Sequence, residues 1–577
     1  MSSKNRRYAK SINKRLGHSR LVSRREFLKT SVIGAGGLGL ASQLSGCGSE
    51  DLSSSAQTTV AGSNTQAREI DALSVDNIPV EFKHSVASGD PLSDRVIIWT
   101  RVNPIQATER AILVNWEMAL DPEFSQVVKS GTTKTAAQRD YTVKLDVDGL
   151  RPYTTYYYRF KSGEATSPVG RTKTAPTSNE TNRIRAAVVA CSNYVAGYFN
   201  AYGLLARRAD LDLVFHLGDY IYETGDAIIR AHRPAREIVS LADYRERYAQ
   251  YREDPFLQEA HRQHPWVVTW DDHETTNNSY NDGAENHQPD TEGDWQVRKG
   301  QAVRAYFEWM PIRENSNSEF DAPEKGLKPE GNGKVFRTIR YGDIATFLVL
   351  DTRLAGRVMQ NGTAIVSEEQ TILGKEQREW LLSEMKSNKA EWTVVAQQMT
   401  FGPVKAVPLP DDSGAQYVNS DAWDGYRFDR KAIFDCIEKN DLKNFTVLSG
   451  DIHATIAMDL PRDAGLLGGY NPLTGAGSLG VELCCNAVAN PGLPIWTAAR
   501  TVNPHLKHAN EIDNGYMLID ITKESLQAEW YYNLIRTIDL TQERPDPVSL
   551  RTVSGTNNLL PSLRTDSKVN PPLLAPN

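Results

Sequence analysis

"LDLVFHLGDYIYE", Leu211 to Glu223, is the stretch on which the fold reading turns. Its first half is a continuous apolar run broken only by Asp212 and His216, where a strand exposed on one face would alternate. A parallel strand covered on both faces requires such a run. Gly218 punctuates it, and Asp219, Tyr220, Tyr222 and Glu223 follow at once. In open α/β sheets, ligands bind in the crevice beyond the carboxyl ends of the strands. The same arrangement recurs along the chain. "RIRAAVVA" runs into Cys191-Ser192-Asn193, and "PWVVTW" into Asp271-Asp272-His273-Glu274, with Asn277 close behind. "IATFLVL" leads into Asp351-Thr352-Arg353, and "NFTVLSG" into Asp451-Ile452-His453. One polar strand ending is commonplace. Five that deliver acid, imidazole, thiol and phenol predict a site.

Carboxylates crowded at one sheet edge repel one another unless cations offset them. Asp219 and Tyr222 therefore read as metal ligands. Tyr220 points to the opposite face and reads as packing, and His216 reads as a core histidine. Carboxylates outnumber imidazoles, which favours hard cations over an all-zinc site. Phenolate and thiolate call for a highly charged ion, Fe(III), and the remaining oxygens suit Ca(II). Asp271 reads as a supporting residue. Asn277 is a candidate for Ca(II) or for helix capping. Arg230 and Arg353 are candidates for contact with phosphate oxygens.

The chain has 577 residues, enough for several domains. Residues 1–46 hold ten Lys/Arg and one acid, Glu26. "SRREFLK" followed by a short, Gly-rich apolar run resembles a twin-arginine export signal. "LSGC" resembles a lipobox, with cleavage before Cys47 and lipid on its sulfur; ordinary signal cleavage is the other reading. The signal's net +9, taken from the chain's −7, leaves the body at −16. An acidic body argues against a nucleic-acid-binding surface. Residues 47–79 read as a flexible tether. Residues 80–175 carry short alternating runs at sandwich spacing, an all-β domain. Within it "GLRPYTTYYYRF" is similar to the tyrosine corner of fibronectin-type domains. Residues 183–545 alternate strands and helices, a large α/β domain, and 557–577 read as an extended tail. Cys436, Cys484 and Cys485 read as packing residues or disulfide partners. In "VELCCNAV" the adjacent cysteines face opposite sides of a strand.

"ACSN", "VFHLGDYIYE", "VVTWDDHE", "LDTR" and "LSGDIHA", in this order, resemble the PhoD-like alkaline phosphatases. These are a branch of the calcineurin-like metallophosphoesterases. "SVASGDPLSDRVIIWTRV" is similar to the start of their N-terminal domain. The resemblance spans about residues 80 to 540. It implies a two-sheet αββα catalytic domain and an exported, periplasmic or cell-surface enzyme that frees phosphate from small organic esters by two-metal hydrolysis. It places Cys191, Asp219 and Tyr222 at iron-ligand positions and Asp451 and His453 in the last metal block. Asp272 stands where the superfamily has a bridging Asn, and His273 where it has its catalytic His. The superfamily's first Asp-x-His block is absent, and Cys191 stands in its place. Three rival readings remain open on the sequence. They are a phosphodiesterase or phospholipase D-type hydrolase on the same metals, a non-catalytic surface lipoprotein, and a Cys/His hydrolase using Cys191 as nucleophile.

Overall fold

The computed structural model describes residues 70, 72–178, 180–314, 333–362, 366–407, 417–463 and 469–576. The expected export signal, Cys47 and most of the expected tether lie outside them.

The strand predicted around Leu211 is observed as Leu213–His216, and its neighbours explain its apolar run. It pairs in parallel with Ile184–Ser192 on one side and Pro265–Val268 on the other. The sheet they belong to has eleven strands and continues through Asn514–Ile521, Ser525–Asn533 and Arg544–Val553. A second sheet of seven strands carries Ala345–Val349, Trp392–Ala396 and Phe445–Ser449 in parallel. The two sheets share one apolar cluster. Val188, Phe215 and Val267 of the first meet Phe347, Val394 and Leu448 of the second, with the Phe215 and Phe347 rings 4.8 Å apart. Side chains alternate along each strand, so Val189, Val214 and Trp266 face the other way. They pack under the helices Asn200–Leu205, Leu241–Arg252 and Pro255–Gln263. Leu348, Val395 and Val447 likewise pack against Gly374–Ser387 and Arg427–Lys439. Cys484 and Cys485 divide between the two cores as the alternation requires, and with Cys191 and Cys436 they are free thiols.

The region expected as a separate domain at 80–175 does not end its sheet there. Val86–Gly89 pairs in parallel with Pro265–Val268, and Val96–Arg101 and Thr142–Val147 extend the large sheet outward. Gly89 allows the junction. A Cβ there would lie 2.2 Å from the Pro311 carbonyl oxygen and 2.6 Å from that of Trp266. A six-stranded sheet covers these three strands over a core of Val96, Ile98, Val114, Tyr156 and Phe160. The large sheet runs past residue 545 through the strand Arg544–Val553.

The tail is extended, as expected, but it is bound. The Leu573 carbonyl accepts the Tyr157 hydroxyl at 2.6 Å, and Ala575 exchanges bonds with Gln263. Buried Asp212 accepts Lys173 from the N-terminal region at 2.7 Å and Lys568 from the tail. Burial opposes its ionisation, yet the two ammoniums hold Asp212 down at about 2. A carboxylate with a lowered folded pKa stabilises above its unfolded value and loses that contribution as pH falls through the folded one. Lys568→Met should therefore cost about 1.5–3 kcal/mol at neutral pH by urea denaturation, and the deficit should shrink below about pH 3 as Asp212 protonates.

Candidate metal centre

Three of the five strand ends deliver their polar residues through a sharp backbone reversal. Cys191, Asp219, Asp451 and His453 have φ of 59°, 55°, 66° and 54°, a region that non-glycine residues rarely occupy. Such strain costs about 1–3 kcal/mol per residue and persists where surrounding bonds over-determine it. Here the Cys191 N–H reaches the Gly218 carbonyl at 3.1 Å, and the Ser192 N–H reaches that of Asp219 at 2.8 Å. The two glycines before the aspartates serve different ends. Gly218 turns the chain at φ 112° and lies against Asp271, whose Cβ would be 2.4 Å from an added Cβ. Gly450 makes room for Ala190, and Asp451 itself takes the turn.

Two donor groups result, and Asp219 belongs to both. Ligand atoms of Cys191, Asp219 and His453 lie within 4.8 Å of one another, as do those of Asp219, Asp272 and His273. Tyr222 joins the first group: its hydroxyl donates to Asp219 Oδ2 at 2.8 Å and lies 3.3 Å from His453 Nε2. Asn490, which the sequence reading did not single out, donates to the Tyr222 hydroxyl at 2.9 Å and sits 3.1 Å from His453 Nε2. Asp451 stands outside both groups, its Oδ1 3.5 Å from Arg353 Nη2.

Three comparisons bear on this arrangement. The profile of the PhoD-like phosphatases matches residues 186–530, and that of their N-terminal domain matches 67–176. Alkaline phosphatase D of Bacillus subtilis is 36% identical over 496 residues, 81% of this chain and 80% of that protein. The chain belongs to the PhoD-like phosphatase family. A solved structure of PhoD superposes with a TM-score of 0.75 at 33% identity, covering 84% of this chain and 92% of that one. The purple acid phosphatase PPD1 of yellow lupin, Lupinus luteus, shares the fold at a TM-score of 0.50 and 14% identity, over 78% of this chain and 71% of that one.

The family's strand-end residues lie in a charged, nearly dry environment. Asp219, Asp271 and Asp272 are at most 3% exposed, and the Arg353 guanidinium among them is fully buried. Its Nε donates to Asp271 at 2.5 Å and its Nη1 to Asp421 at 2.8 Å, with Asp272 at 3.6 Å. Arg353, expected as a phosphate contact, is thus the fixed counter-charge of the carboxylates. Burial and neighbouring carboxylates push Asp219 and Asp451 well above the usual range, and burial raises Asp271 to about 6. Burial opposes ionised Asp272 too, but Arg353 and His273 hold it at about 2. Burial raises the Cys191 thiol and the Tyr222 phenol far above their ordinary values. Asp219 Oδ1 and Asp271 Oδ2 are buried without a hydrogen-bond partner. Buried acceptors of this kind, beside thiol, phenol and imidazole, fit cations.

His273 Nδ1 lies 2.6 Å from Glu223 Oε2, and its ring stacks on Tyr222 at 4.2 Å. Burial disfavours its charge, yet Glu223, Asp272 and Asp219 raise it well above the ordinary histidine value. Asn277 contributes its backbone N–H, to Glu223 at 2.9 Å. Arg230 pairs with a carboxylate outside the two donor groups. It donates to Asp254 at 2.6 Å and lies 3.6 Å over the Tyr194 ring. His216 is a core histidine, 3.0 Å from the Tyr202 hydroxyl, and Tyr220 packs against His261. Removing the Arg353 guanidinium strands buried carboxylates, so Arg353→Met should cost about 3–5 kcal/mol in urea denaturation. Arg353→Lys, which keeps the charge without the fork, should fall in between.

Proposed function

We propose that this PhoD-like phosphatase is an exported, metal-dependent hydrolase releasing inorganic phosphate from small phosphate esters by a two-metal mechanism. The observation that carries the reading is the sharing of Asp219 between the two donor groups, with His273 beside the second. Cys191, Asp219, Tyr222 and His453 would hold Fe(III), and Asp219 with Asp272 would hold Ca(II), Asp451 adding charge nearby. When bound, the cations act as Lewis acids that offset charge on the phosphoryl oxygens. The protein's own part is positional and acid–base. Asp219 ties the two halves of the site together, and Tyr222 holds its carboxylate and the His453 ring in register. His273, with Nδ1 turned to Glu223, presents Nε2 and gives its proton to the leaving oxygen as the P–O bond breaks. Around this centre we read the helix–sheet–sheet–helix layering as the αββα fold. We read the N-terminal layers as a fibronectin-type sandwich, supported by the Arg151 N–H donating to the Tyr156 hydroxyl at 2.8 Å.

Phosphatase activity should be lost on chelation and restored by Ca(II) while the iron is retained. Asp219→Asn should cost about 10³-fold or more, ~4 kcal/mol, and His273→Ala about 10²–10⁴-fold, less on nitrophenyl than on alkyl esters. Full activity after chelation, with inactivation by thiol alkylation, would instead favour Cys191 as nucleophile. A phosphodiesterase would prefer diesters in the same assay, and a non-catalytic lipoprotein would purify without stoichiometric iron.

For location we propose passage through the twin-arginine machinery and anchoring through lipid on Cys47, with the membrane touched only by that anchor and no nucleic-acid partner. Among the described residues no helix is long and apolar enough to span a bilayer. Cys47→Ala should move the protein from the membrane to the soluble fraction. An unmodified mature N-terminus elsewhere, read by mass spectrometry, would refute the anchor.

A further inference from the structure

The motifs "DYIYE" and "DDHE" each end in a glutamate, and each glutamate engages the other motif. Glu223 is fully buried. Its Oε2 faces His273 Nδ1 at 2.6 Å, and its Oε1 accepts the Asn277 N–H at 2.9 Å and the Thr276 hydroxyl at 3.3 Å. Glu274 is 2% exposed. Its Oε1 accepts the Tyr220 N–H at 2.7 Å, and its Oε2 accepts those of Asp219 at 3.1 Å and Asp271 at 2.9 Å. Neither belongs to a donor group. A buried carboxylate is costly, and two are retained where a neutral side chain could pack. The bonds they make are specific: Glu223 holds the ring nitrogen of His273 together with Thr276 and Asn277, and Glu274 holds the backbone of the strained Asp219 turn together with that of Asp271.

We propose that Glu223 and Glu274 form a reciprocal pair of positioning residues, Glu223 fixing which nitrogen of His273 faces the substrate and Glu274 fixing the turn that carries Asp219. An ionised carboxylate only accepts hydrogen bonds, so the proton on Nδ1 stays there and Nε2 is the nitrogen that works. As the P–O bond breaks, the Nε2 proton passes to the leaving alkoxide oxygen. The imidazole left behind is neutral, keeps its Nδ1–H on Glu223, and regains the Nε2 proton from solvent. Glu274 touches no reacting group. It acts through the backbone of both motifs, which Gly218 brings into contact with Asp271. The pair rests on the acid role given to His273 and the ligand role given to Asp219.

The test uses the full chain with its metals. Glu223→Gln, Glu274→Gln, His273→Ala and the Glu223→Gln/His273→Ala double are assayed on an alkyl phosphate and on 4-nitrophenyl phosphate, with elemental analysis of each. Glu223→Gln should lower kcat on the alkyl ester about 10–100-fold, and on the nitrophenyl ester less than about threefold, with KM and metal content unchanged. The double should be no worse than His273→Ala alone. Glu274→Gln should lose metal and slow both esters alike, with partial recovery in excess Ca(II). Additive losses in the double, or a Glu274→Gln enzyme with full metal and full rate, would overturn the proposal. If His273→Ala shows no leaving-group dependence, the acid role falls, while additivity in the double still decides the pairing. Should Glu274→Gln not accumulate as folded protein, Glu274→Asp, with the same charge on a shorter arm, is measured in its place.

Discussion

Buried negative charge is the constraint on which the rest of this structure depends. Asp219, Asp271 and Asp272 lie almost out of water, with Asp451 beside them and one guanidinium, Arg353, among them. Two like charges about 4 Å apart repel by ~4 kcal/mol even at an effective dielectric of 20. Arg353 satisfies Asp271 and Asp421 directly, but it cannot also pair with Asp219, whose Oδ1 finds no partner. The protein therefore holds an electrostatic deficit that cations complete. It holds that deficit in strained backbone, at four left-handed residues that only a stiff frame would maintain.

The stiffness comes from sheet continuity. Strands ending at Ser192, His216 and Val268 are central in a sheet that does not stop at the catalytic region. Val86–Gly89 adds to the edge that would otherwise be open at Pro265–Val268, so the N-terminal layers brace the loop carrying Asp272 and His273. The tail crosses the same junction, tied to Asp212 by Lys568 and to Tyr157 by Leu573. Without this bracing, the repulsion among the carboxylates would act on free loops and relax by pulling them apart.

What the sequence made legible follows from range. Fully covered parallel strands announce themselves as apolar runs, and the residue after each run is known once the run is. Asp219 and Tyr222 could therefore be read as ligands before any geometry, whereas Cys191, Asp272 and His453 took their roles from the family resemblance. Arg353 and Arg230 could not be told apart, because both stand near strand ends as cations. Only the fold shows one among Asp271 and Asp421 and the other on Asp254 beneath a tyrosine ring. Asn490 had no local signal at all, since it reaches Tyr222 from 268 residues away. The sheet that crosses the boundary near residue 175 was hidden for a related reason. Composition reports local chain character, and it is silent on which strands pair across a boundary.

The thiol and the phenol carry the argument one step further. Burial raises both Cys191 and Tyr222, so as a bare pocket the site prefers them protonated and neutral. A cation bound there takes anionic ligands, and each ligand that ionises releases a proton. Proton release makes occupancy fall as pH falls, and most steeply for the ligands whose own values are highest. The buried carboxylates act in the same direction, since Asp219 and Asp451 also lie above their ordinary range. Desolvation thus turns the donor set into one that holds cations better in alkaline than in acid conditions. Beside this donor set, burial opposes the charge of His273, yet Glu223, Asp272 and Asp219 raise it above the ordinary histidine value.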